Sequence, residues 1–221
     1  MNKILEESPI FRGLNLAAIE ELLKQNSYNI KRYTKNQVIA LMGEKCETLM
    51  VLLSGSVKGE MADFWGKSIK IEDIAAPKPI ASIFLFGKNN HFPVTVTANE
   101  DVEMLCLPKS SVIQMFQQNK LFLTNYLNMM ANRTQFLTEK LKFLSFKTIR
   151  QKFAHFLLKS GGSEHNELVL TKTQQELSEM FGVTRPALAR AIKELENDGI
   201  IEVDRKNITI KNKPELMKLM Q

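Results

Sequence analysis

One continuous stretch of the chain carries residue types that proteins use to read double-stranded DNA. It runs from Thr173 to Leu195 and is typical of two short amphipathic helices joined by a turn at Gly182, where a glycine can adopt the left-handed conformation that ends a helix. The predicted buried positions recur at helical spacing: Leu177, Phe181, Leu188, Ile192 and Leu195. This layout predicts a helix-turn-helix.

The second of these helices presents a surface that suits the major groove. Thr184 is predicted to cap its first turn, and Pro186 is tolerated there because no backbone donor is needed. Arg185 and Arg190 have small neighbours, so a guanidinium can reach O6 and N7 of guanine as a bidentate pair. Lys193 lies on the same surface and is expected to contact a phosphate. The pattern also fits a helical hairpin that only packs against protein.

The residues that follow favour the DNA-binding interpretation. Segments 201–203 and 207–210 alternate like two strands around a turn at Asp204, Arg205 and Lys206. A hairpin directly after a recognition helix is a wing, so the sequence predicts a winged helix-turn-helix.

The region before residue 108 is typical of a β-rich fold. Gly43, Gly55 and Gly66 separate short runs with strand character. The predicted strands are 28–33, 38–41, 49–53, 56–62, 68–74, 93–98 and 102–107. A short helical lid is expected ahead of them, from Ser8 to Leu23. The predicted class is α+β, with an N-terminal antiparallel β-roll of the cupin or jelly-roll kind, a long dimerisation helix and the C-terminal winged helix-turn-helix.

Two apolar stripes mark the long helix. The first, called the seam below, has spacings of four and three: Leu123, Leu127, Met130, Thr134, Leu137, Leu141 and Leu144. The second stripe is Phe122, Tyr126, Met129, Arg133, Phe136, Lys140 and Phe143. Two apolar faces need two partners, so we expect one stripe to pack on the β-roll and the seam to pair with a second subunit in a homodimer. The alternative is a helix buried within a monomer.

Length and charge agree with this organisation. A chain of 221 residues can form two modest cores, and the predicted domains are an effector roll at 1–118, the dimerisation helix at 119–145 and the DNA-binding domain at 146–221. Residues 1–145 contain 17 Lys and Arg against 14 Asp and Glu, whereas residues 146–221 contain 13 against 10. Each part has a net charge of +3, so the shorter C-terminal part has about twice the net charge per residue, as expected if it meets phosphates.

Neither a membrane-spanning run nor a signal-peptide core is visible in the sequence, so a cytoplasmic protein with no membrane partner is expected. Cys46 and Cys106 are too few for a disulfide framework and are expected to be reduced. No metal-binding or catalytic motif was found.

The order of strand roll, long helix and winged helix-turn-helix resembles the Crp/Fnr superfamily of bacterial transcription regulators. The resemblance is carried by Gly43 and Glu44, 52–59, Gly66 and Lys67, 80–86 and 176–201. It implies a cyclic-nucleotide-binding-like roll for a small effector, a pseudo-palindromic operator and RNA polymerase as a partner. It also implies base and phosphate contacts by Arg185 and Arg190 and a phosphate contact by Thr173. The two recognition helices of such a dimer must lie about 34 Å apart, one turn of DNA.

The chain departs from that pattern at positions that decide the ligand. Pro186 replaces an acidic residue that accepts a hydrogen bond from cytosine in the cyclic-AMP receptor protein, so a different operator is expected. Ala81 and Ser82 replace the Gly-Glu pair that meets the ribose of a cyclic nucleotide, and Phe92 and Pro93 replace the Arg-Ser pair that meets its phosphate. A buried phosphate without its cation costs several kcal/mol, which argues against cyclic AMP. An apolar effector pocket is expected instead, formed by Ala81, Ser82, Ile83, Phe84, Leu85, Phe86, Phe92, Pro93 and Val94.

Several alternatives remain open for the effector and the function. Segment 86–94 resembles regulators of nitrosative stress and the hybrid cluster protein, some of which are associated with haem, and His91 is then a candidate axial ligand. Lys88 can meet an anionic effector. The competing functions are an enzyme acting in the roll, a constitutive DNA binder with no effector, and a sensory dimer whose helix-turn-helix packs on another protein.

Overall fold

The computed structural model describes residues 3–62, 68–162 and 165–220. The chain divides into two compact units, and the division falls between Thr134 and Gln135. Gly66 and Lys67, which carry part of the resemblance noted above, lie outside the described residues.

The first unit is built around two antiparallel sheets. Their strands are β1 (Asn29–Tyr33), β2 (Val38–Ala40), β3 (Thr48–Ser54), β4 (Ser56–Ala62), β5 (Ser68–Ala75), β6 (Pro79–Ile80), β7 (Thr95–Ala98) and β8 (Val102–Pro108). One sheet has the order β1-β8-β3-β6 and the other β2-β7-β4-β5. The predicted antiparallel roll is confirmed, with two differences in detail: β6 was not anticipated, and β7 begins at Thr95, so Pro93 and Val94 precede the strand.

Gly55 makes the tight turn between β3 and β4. Its φ of +75° is a conformation that side chains rarely adopt. A Cβ atom at this position would also lie 2.6 Å from the carbonyl oxygen of Asp101. Both backbone conformation and space therefore require glycine here.

Helices close one side of the roll. They are a 3₁₀ helix at Lys3–Glu7, α1 (Leu16–Lys24), a 3₁₀ turn at Ser82–Phe84, α2 (Lys109–Gln118) and the first part of α3 (Lys120–Ser145). The expected helical lid from Ser8 is wrong in its start: residues 8–13 form turns, and α1 begins after Asn15, whose side chain accepts a hydrogen bond from the backbone N–H of Ala18. Among the fully buried side chains are Phe11, Ile19, Leu49 and Phe122.

The second unit contains the last part of α3 and a small α/β domain. Its further elements are α4 (Ile149–Leu157), a π-helical turn at Leu158–Gly162, β9 (Glu167–Val169), α5 (Gln174–Phe181), α6 (Arg185–Asn197), β10 (Ile201–Asp204), β11 (Asn207–Ile210) and α7 (Lys213–Lys218). The winged helix-turn-helix is confirmed in α5, α6, β10 and β11. β9 was not anticipated, and it pairs with β11 to make the wing a three-stranded sheet.

Candidate DNA-binding surface and effector cavity

Reciprocal hydrogen bonds fix the start of α5. The Glu176 backbone N–H donates to Thr173 Oγ1 at 3.2 Å, and the Thr173 backbone N–H donates to Glu176 Oε2 at 2.6 Å. The Thr173 hydroxyl also donates to Glu176 Oε2, at 2.8 Å. The bonds donated by the backbone N–H and the hydroxyl of Thr173 lower the pKa of Glu176, and the nearby charges of Lys172 and Lys206 lower it further. Thr173, which the family resemblance assigns to a phosphate contact, is therefore the N-cap of this helix.

A short turn leads from α5 to α6. Gly182 adopts φ +67° and ψ +38°, the left-handed conformation expected from the sequence. Thr184 then caps α6, because its Oγ1 accepts a hydrogen bond from the Ala187 backbone N–H at 3.4 Å. Leu188 and Leu195 are fully buried beneath the helix, as predicted. Local capping and burial together fix which face of α6 is turned outward.

The outward face of α6 is cationic. Arg185, Pro186, Arg190 and Lys193 are all exposed, whereas the neighbouring alanines 187 and 189 are partly buried. Lys193 Nζ lies 2.7 Å from Glu196 Oε2, so a phosphate would have to replace this exposed ion pair. The face has the cations and low side-chain bulk that close approach to DNA requires.

A basic hollow extends this surface toward the wing. It has a volume of about 260 Å³, and its charged and polar lining includes Lys172, Thr173, Arg185, Arg205 and Lys206. Arg205 occupies the hairpin turn with φ +55°. From the sequence, Arg205 and Lys206 are assigned only to a turn, although two cations at a hairpin tip are a usable signal. The fold places them beside the recognition helix.

The roll unit has its own cavity, of about 280 Å³, which we call the roll cavity. Four of the predicted pocket residues line it: Ala81, Ser82, Ile83 and Phe84. The remaining lining residues are Pro9, Glu72, Asp73, Ile74, Lys78, Pro79, Met129, Met130 and Arg133. Arg133 and Glu72 form an ion pair at 3.4 Å. The lining is therefore mixed and carries charges of both signs, unlike the apolar lining expected from the sequence.

The other predicted pocket residues lie elsewhere in the roll unit, and Leu85 among them is fully buried in its core. Phe92 is only 4% exposed and packs in the core of the roll with partly buried Val94. Pro93 is exposed in the segment before β7. Phe86 packs against Phe116 and Tyr126, with ring centroids 5.8 and 5.9 Å apart. These residues do not join Ala81 in the roll cavity because the chain turns away between them.

The helix α3 is tied to the cavity segment by one hydrogen bond. Tyr126 Oη donates to the backbone carbonyl of Ser82 at 2.7 Å, and both groups are buried. Burial raises the pKa of Tyr126, so the phenol remains a donor at neutral pH. The bond joins the wall of the cavity directly to the long helix.

The cavity segment does not carry the groups that hold a cyclic nucleotide. Ala81 has φ +50° and ψ +20°, a conformation in which the glycine of the family pattern would be unstrained. Ser82 supplies no carboxylate for a ribose, and the Phe92 side chain fills the core where the family pattern has a guanidinium. The Arg-Ser position of the family pattern therefore supplies no cation for a cyclic phosphate, and the cations that line the roll cavity, Lys78 and Arg133, come from other parts of the chain.

The two stripes of α3 differ in their surroundings. In the second stripe, Phe122 and Tyr126 are buried in the core of the roll unit, and Phe143 packs on the core of the second unit. In the seam, Leu127, Leu137, Leu141 and Leu144 are exposed, the last two by 69% and 70%. These four leucines are therefore the part of the seam that the single chain leaves in water, whereas Leu123 and Met130 are partly buried and Met130 packs against the core of the roll unit.

The candidate ligands for haem or metal do not gather in one place. His91 Nδ1 lies 2.7 Å from Asn89 Oδ1 in the loop before β7, and His91 is not part of the roll-cavity lining. Cys46 and Cys106 are buried, and burial raises the pKa of both thiols. Within residues 3–62, 68–162 and 165–220, no cluster of three or more His, Cys, Asp or Glu could hold a metal ion. None of the helices in those same residues is long and apolar enough to cross a bilayer.

Two family models match the chain: the cyclic nucleotide-binding domain over residues 30–119 and the Crp-like helix-turn-helix domain over residues 151–219. The cAMP-activated global transcriptional regulator CRP of Salmonella typhimurium is 26% identical over 187 residues, which cover 82% of this chain and 89% of that protein. The cAMP-activated global transcriptional regulator Vfr of Pseudomonas aeruginosa is 26% identical over 188 residues, which cover 81% of this chain and 88% of that protein.

The same architecture is found in a solved structure. The catabolite activator protein of Thermus thermophilus superimposes with a TM-score of 0.57 at 19% identity, over 96% of this chain and 98% of that one. The relatives are transcription regulators rather than enzymes, which sets aside an enzymatic role at the level of the family. With the roll, the long helix and the winged helix-turn-helix in the same order, the chain belongs to the Crp/Fnr family of DNA-binding transcription regulators.

Proposed function

We propose that this regulator works as a homodimer on a pseudo-palindromic operator, under the control of a small effector other than cyclic AMP. In this proposal residues 1–118 form the effector domain, residues 119–145 the dimerisation helix and residues 146–221 the DNA-binding domain. RNA polymerase is the further partner implied by the family.

The observation that carries the DNA-binding part is the cationic outward face of α6. Arg185 and Arg190 are exposed on a helix whose opposite face is buried, so both guanidinium groups are free to approach base edges. Thr173 and Thr184 lie at the starts of the two helices, where backbone N–H groups favour phosphate. Lys193 and the wing cations Arg205 and Lys206 add contacts that do not depend on sequence.

The exposed seam supports the homodimer. Several leucines on one face of a helix, spaced by four and three residues, are stabilised when a second copy of the same helix covers them. Two recognition helices related by a twofold axis then match two half-sites about 34 Å apart.

The roll cavity supports control by an effector other than cAMP, the activator that the relatives' names state. Ser82 in place of a carboxylate and Phe92 in place of a guanidinium remove both polar anchors of a cyclic nucleotide. The Tyr126–Ser82 hydrogen bond gives an occupant of the cavity a direct mechanical connection to the dimer helix. His91, which lies outside the cavity lining, gives no support for haem in this place.

The test is the double variant Arg185→Ala with Arg190→Ala, measured by electrophoretic mobility shift on two DNAs. One is an operator that the unaltered protein selects from a random library, and the other is random DNA. Each lost bidentate pair costs about 1–3 kcal/mol, so specific affinity should fall about 30-fold or more while the dimer persists. Arg12→Ala with Arg32→Ala removes the same charge from exposed positions of the roll unit and should leave specific binding within about twofold. Unchanged operator binding by the α6 variant would overturn the assigned surface.

A further inference from the structure

A second concave site lies within the C-terminal unit, away from the recognition face of α6. It has a volume of about 370 Å³, within the range typical of small-molecule sites. We call it the aromatic groove, and its lining is Phe136, Glu139, Lys140, Phe143, His155, Phe156, Lys159, Ser160 and Met180. The groove thus combines the last part of α3 with α4, the turn after it, and the first helix of the helix-turn-helix.

The walls of the aromatic groove are held in place by packing. The Phe143 ring lies 5.4 Å from the Phe181 ring and 6.0 Å from the His155 imidazole, measured between centroids. Phe156 is fixed in the same way, at 6.2 Å from Phe181. Because these rings are supported from behind, they can accept a flat molecule without first becoming ordered.

Other apolar groups of the groove are turned toward solvent. Phe136 and Met180 are 48% and 43% exposed. A thioether and an aromatic ring in the lining of one hollow make favourable contacts with the face and edge of an aromatic ligand. The shape and the apolar lining therefore favour a flat ring system.

The charges at the rim favour an anionic group on that ligand. Glu139 is paired with Lys159, which leaves Lys140 with no carboxylate partner in the part of the chain that the structure describes. Lys140 Nζ lies 5.5 Å from the centroid of the Phe136 ring, at the mouth of the groove. Burial lowers the pKa of His155, the charges of Lys142 and Lys159 lower it further, and the charge of Glu139 raises it.

The groove also stays open when the seam is covered. At about 100° per residue, Phe136 and Phe143 lie roughly a third of a turn around α3 from Leu137 and Leu141. A second copy of α3 packed on the seam therefore does not need the face that lines the groove.

We propose that the aromatic groove binds an aromatic small molecule that carries an acidic group. The ring system packs between Phe143, Phe156 and Met180, and the acid pairs with Lys140. This site is distinct from the roll cavity, and its occupancy does not require that the DNA-binding proposal be correct.

Two fluorescent probes test the proposal on the full-length protein: anilinonaphthalene sulfonate, which is aromatic and anionic, and the neutral N-phenyl-1-naphthylamine. Met180→Glu should weaken the anionic probe about tenfold, since it removes apolar contact and adds a repelling charge. Lys140→Glu should weaken the anionic probe about fivefold and leave the neutral probe nearly unchanged. The matched controls are Met217→Glu, on the exposed face of α7, and Lys120→Glu, at the other end of α3; both should bind like the unaltered protein.

The imidazole proton resonances locate the probe independently of any loss of folding. The chain has three histidines, His91, His155 and His165, and His155→Gln assigns the signal from the groove. The anionic probe should shift the His155 signal and leave the other two in place. A shift of His91 alone, or equal probe affinity in Met180→Glu and Met217→Glu, would overturn the proposal.

Discussion

The DNA-binding surface and the roll cavity are built in different ways. The surface comes from one stretch of chain, in which Thr173, Gly182 and Thr184 set the ends of two helices through contacts no more than a few residues apart. The roll cavity gathers Pro9, Glu72, Ser82 and Arg133, which are far apart in sequence. Sequence spacing is therefore a good guide to the first site and a poor guide to the second.

This contrast explains the error about the effector pocket. The sequence prediction places residues of segment 81–94 in one continuous lining, as is valid for a recognition helix. The chain instead passes through a 3₁₀ turn and a loop, so Phe92 enters the core while Ile83 and Phe84 face the cavity. Apart from Lys78, the charged part of the lining comes from β5 and α3, which no local pattern connects to Ala81.

The largest expected effect concerns the seam of α3, through which the two subunits of the proposed homodimer pair. Leu137→Lys with Leu141→Lys places two charges in the seam, and we expect monomers in sedimentation velocity and loss of high-affinity operator binding, because a monomer engages only one half-site. Asn132→Lys with Gln135→Lys adds the same charge on the opposite side of α3 and should remain dimeric. A dimer that persists in the seam variant would show that a different surface joins the subunits.

A smaller effect is expected at the junction between the roll cavity and α3. Tyr126→Phe leaves the buried Ser82 carbonyl without its donor, so the free energy of unfolding should fall by about 1–3 kcal/mol in chemical denaturation. Tyr28→Phe, at an exposed tyrosine, should change it by less than about 0.5 kcal/mol. If the two variants prove equally stable, the hydrogen bond does not hold the cavity wall against the helix.

The local character of the DNA-binding surface can be tested at Thr173. Thr173→Ala removes the N-cap of α5 and should lower the free energy of unfolding by about 1 kcal/mol, whereas Thr173→Ser keeps the hydroxyl and most of the stability. Equal losses in the alanine and serine variants would argue against capping as the cause.

The same bonds predict a pH dependence with a definite sign. Because the pKa of Glu176 is lowered in the folded protein, its stabilising contribution is present above the unfolded value of about 4.5 and is lost as the pH falls through the folded value. Thr173→Ala removes the hydroxyl donor but keeps the backbone N–H, which is the larger cause, so it should weaken only part of the acid-induced loss of stability between about pH 5 and pH 3. Denaturation curves collected across that range measure the difference.

The smallest effect is expected at the edge of the recognition face. Lys193→Ala should lower the affinity for operator and for random DNA by the same factor and should reduce the slope of log affinity against log salt by about one. Lys218→Ala breaks an exposed ion pair of the same spacing on α7 and should change neither. A selective loss of operator binding would instead indicate that Lys193 contacts a base.

Much of the fold could be predicted because its signals are local. Alternating residues and turn glycines predict seven of the eight strands of the roll unit. Gly182, Thr184 and the buried leucines predict the helix-turn-helix. Short or isolated strands such as β6 and β9 were missed, because their two or three residues have no period of their own and pair only when a distant strand is already in place.

The sequence by itself determined which faces of the helices are apolar and which end of the chain carries the cations proposed to contact DNA. It could do so because helix periodicity and capping act over a few residues. The tertiary structure decided which residues share a cavity, that Arg205 and Lys206 lie beside Arg185, and that Lys140 stands at the mouth of an aromatic groove. Those arrangements depend on contacts between residues far apart in the chain, and such contacts form only when the cores of the two units exclude water.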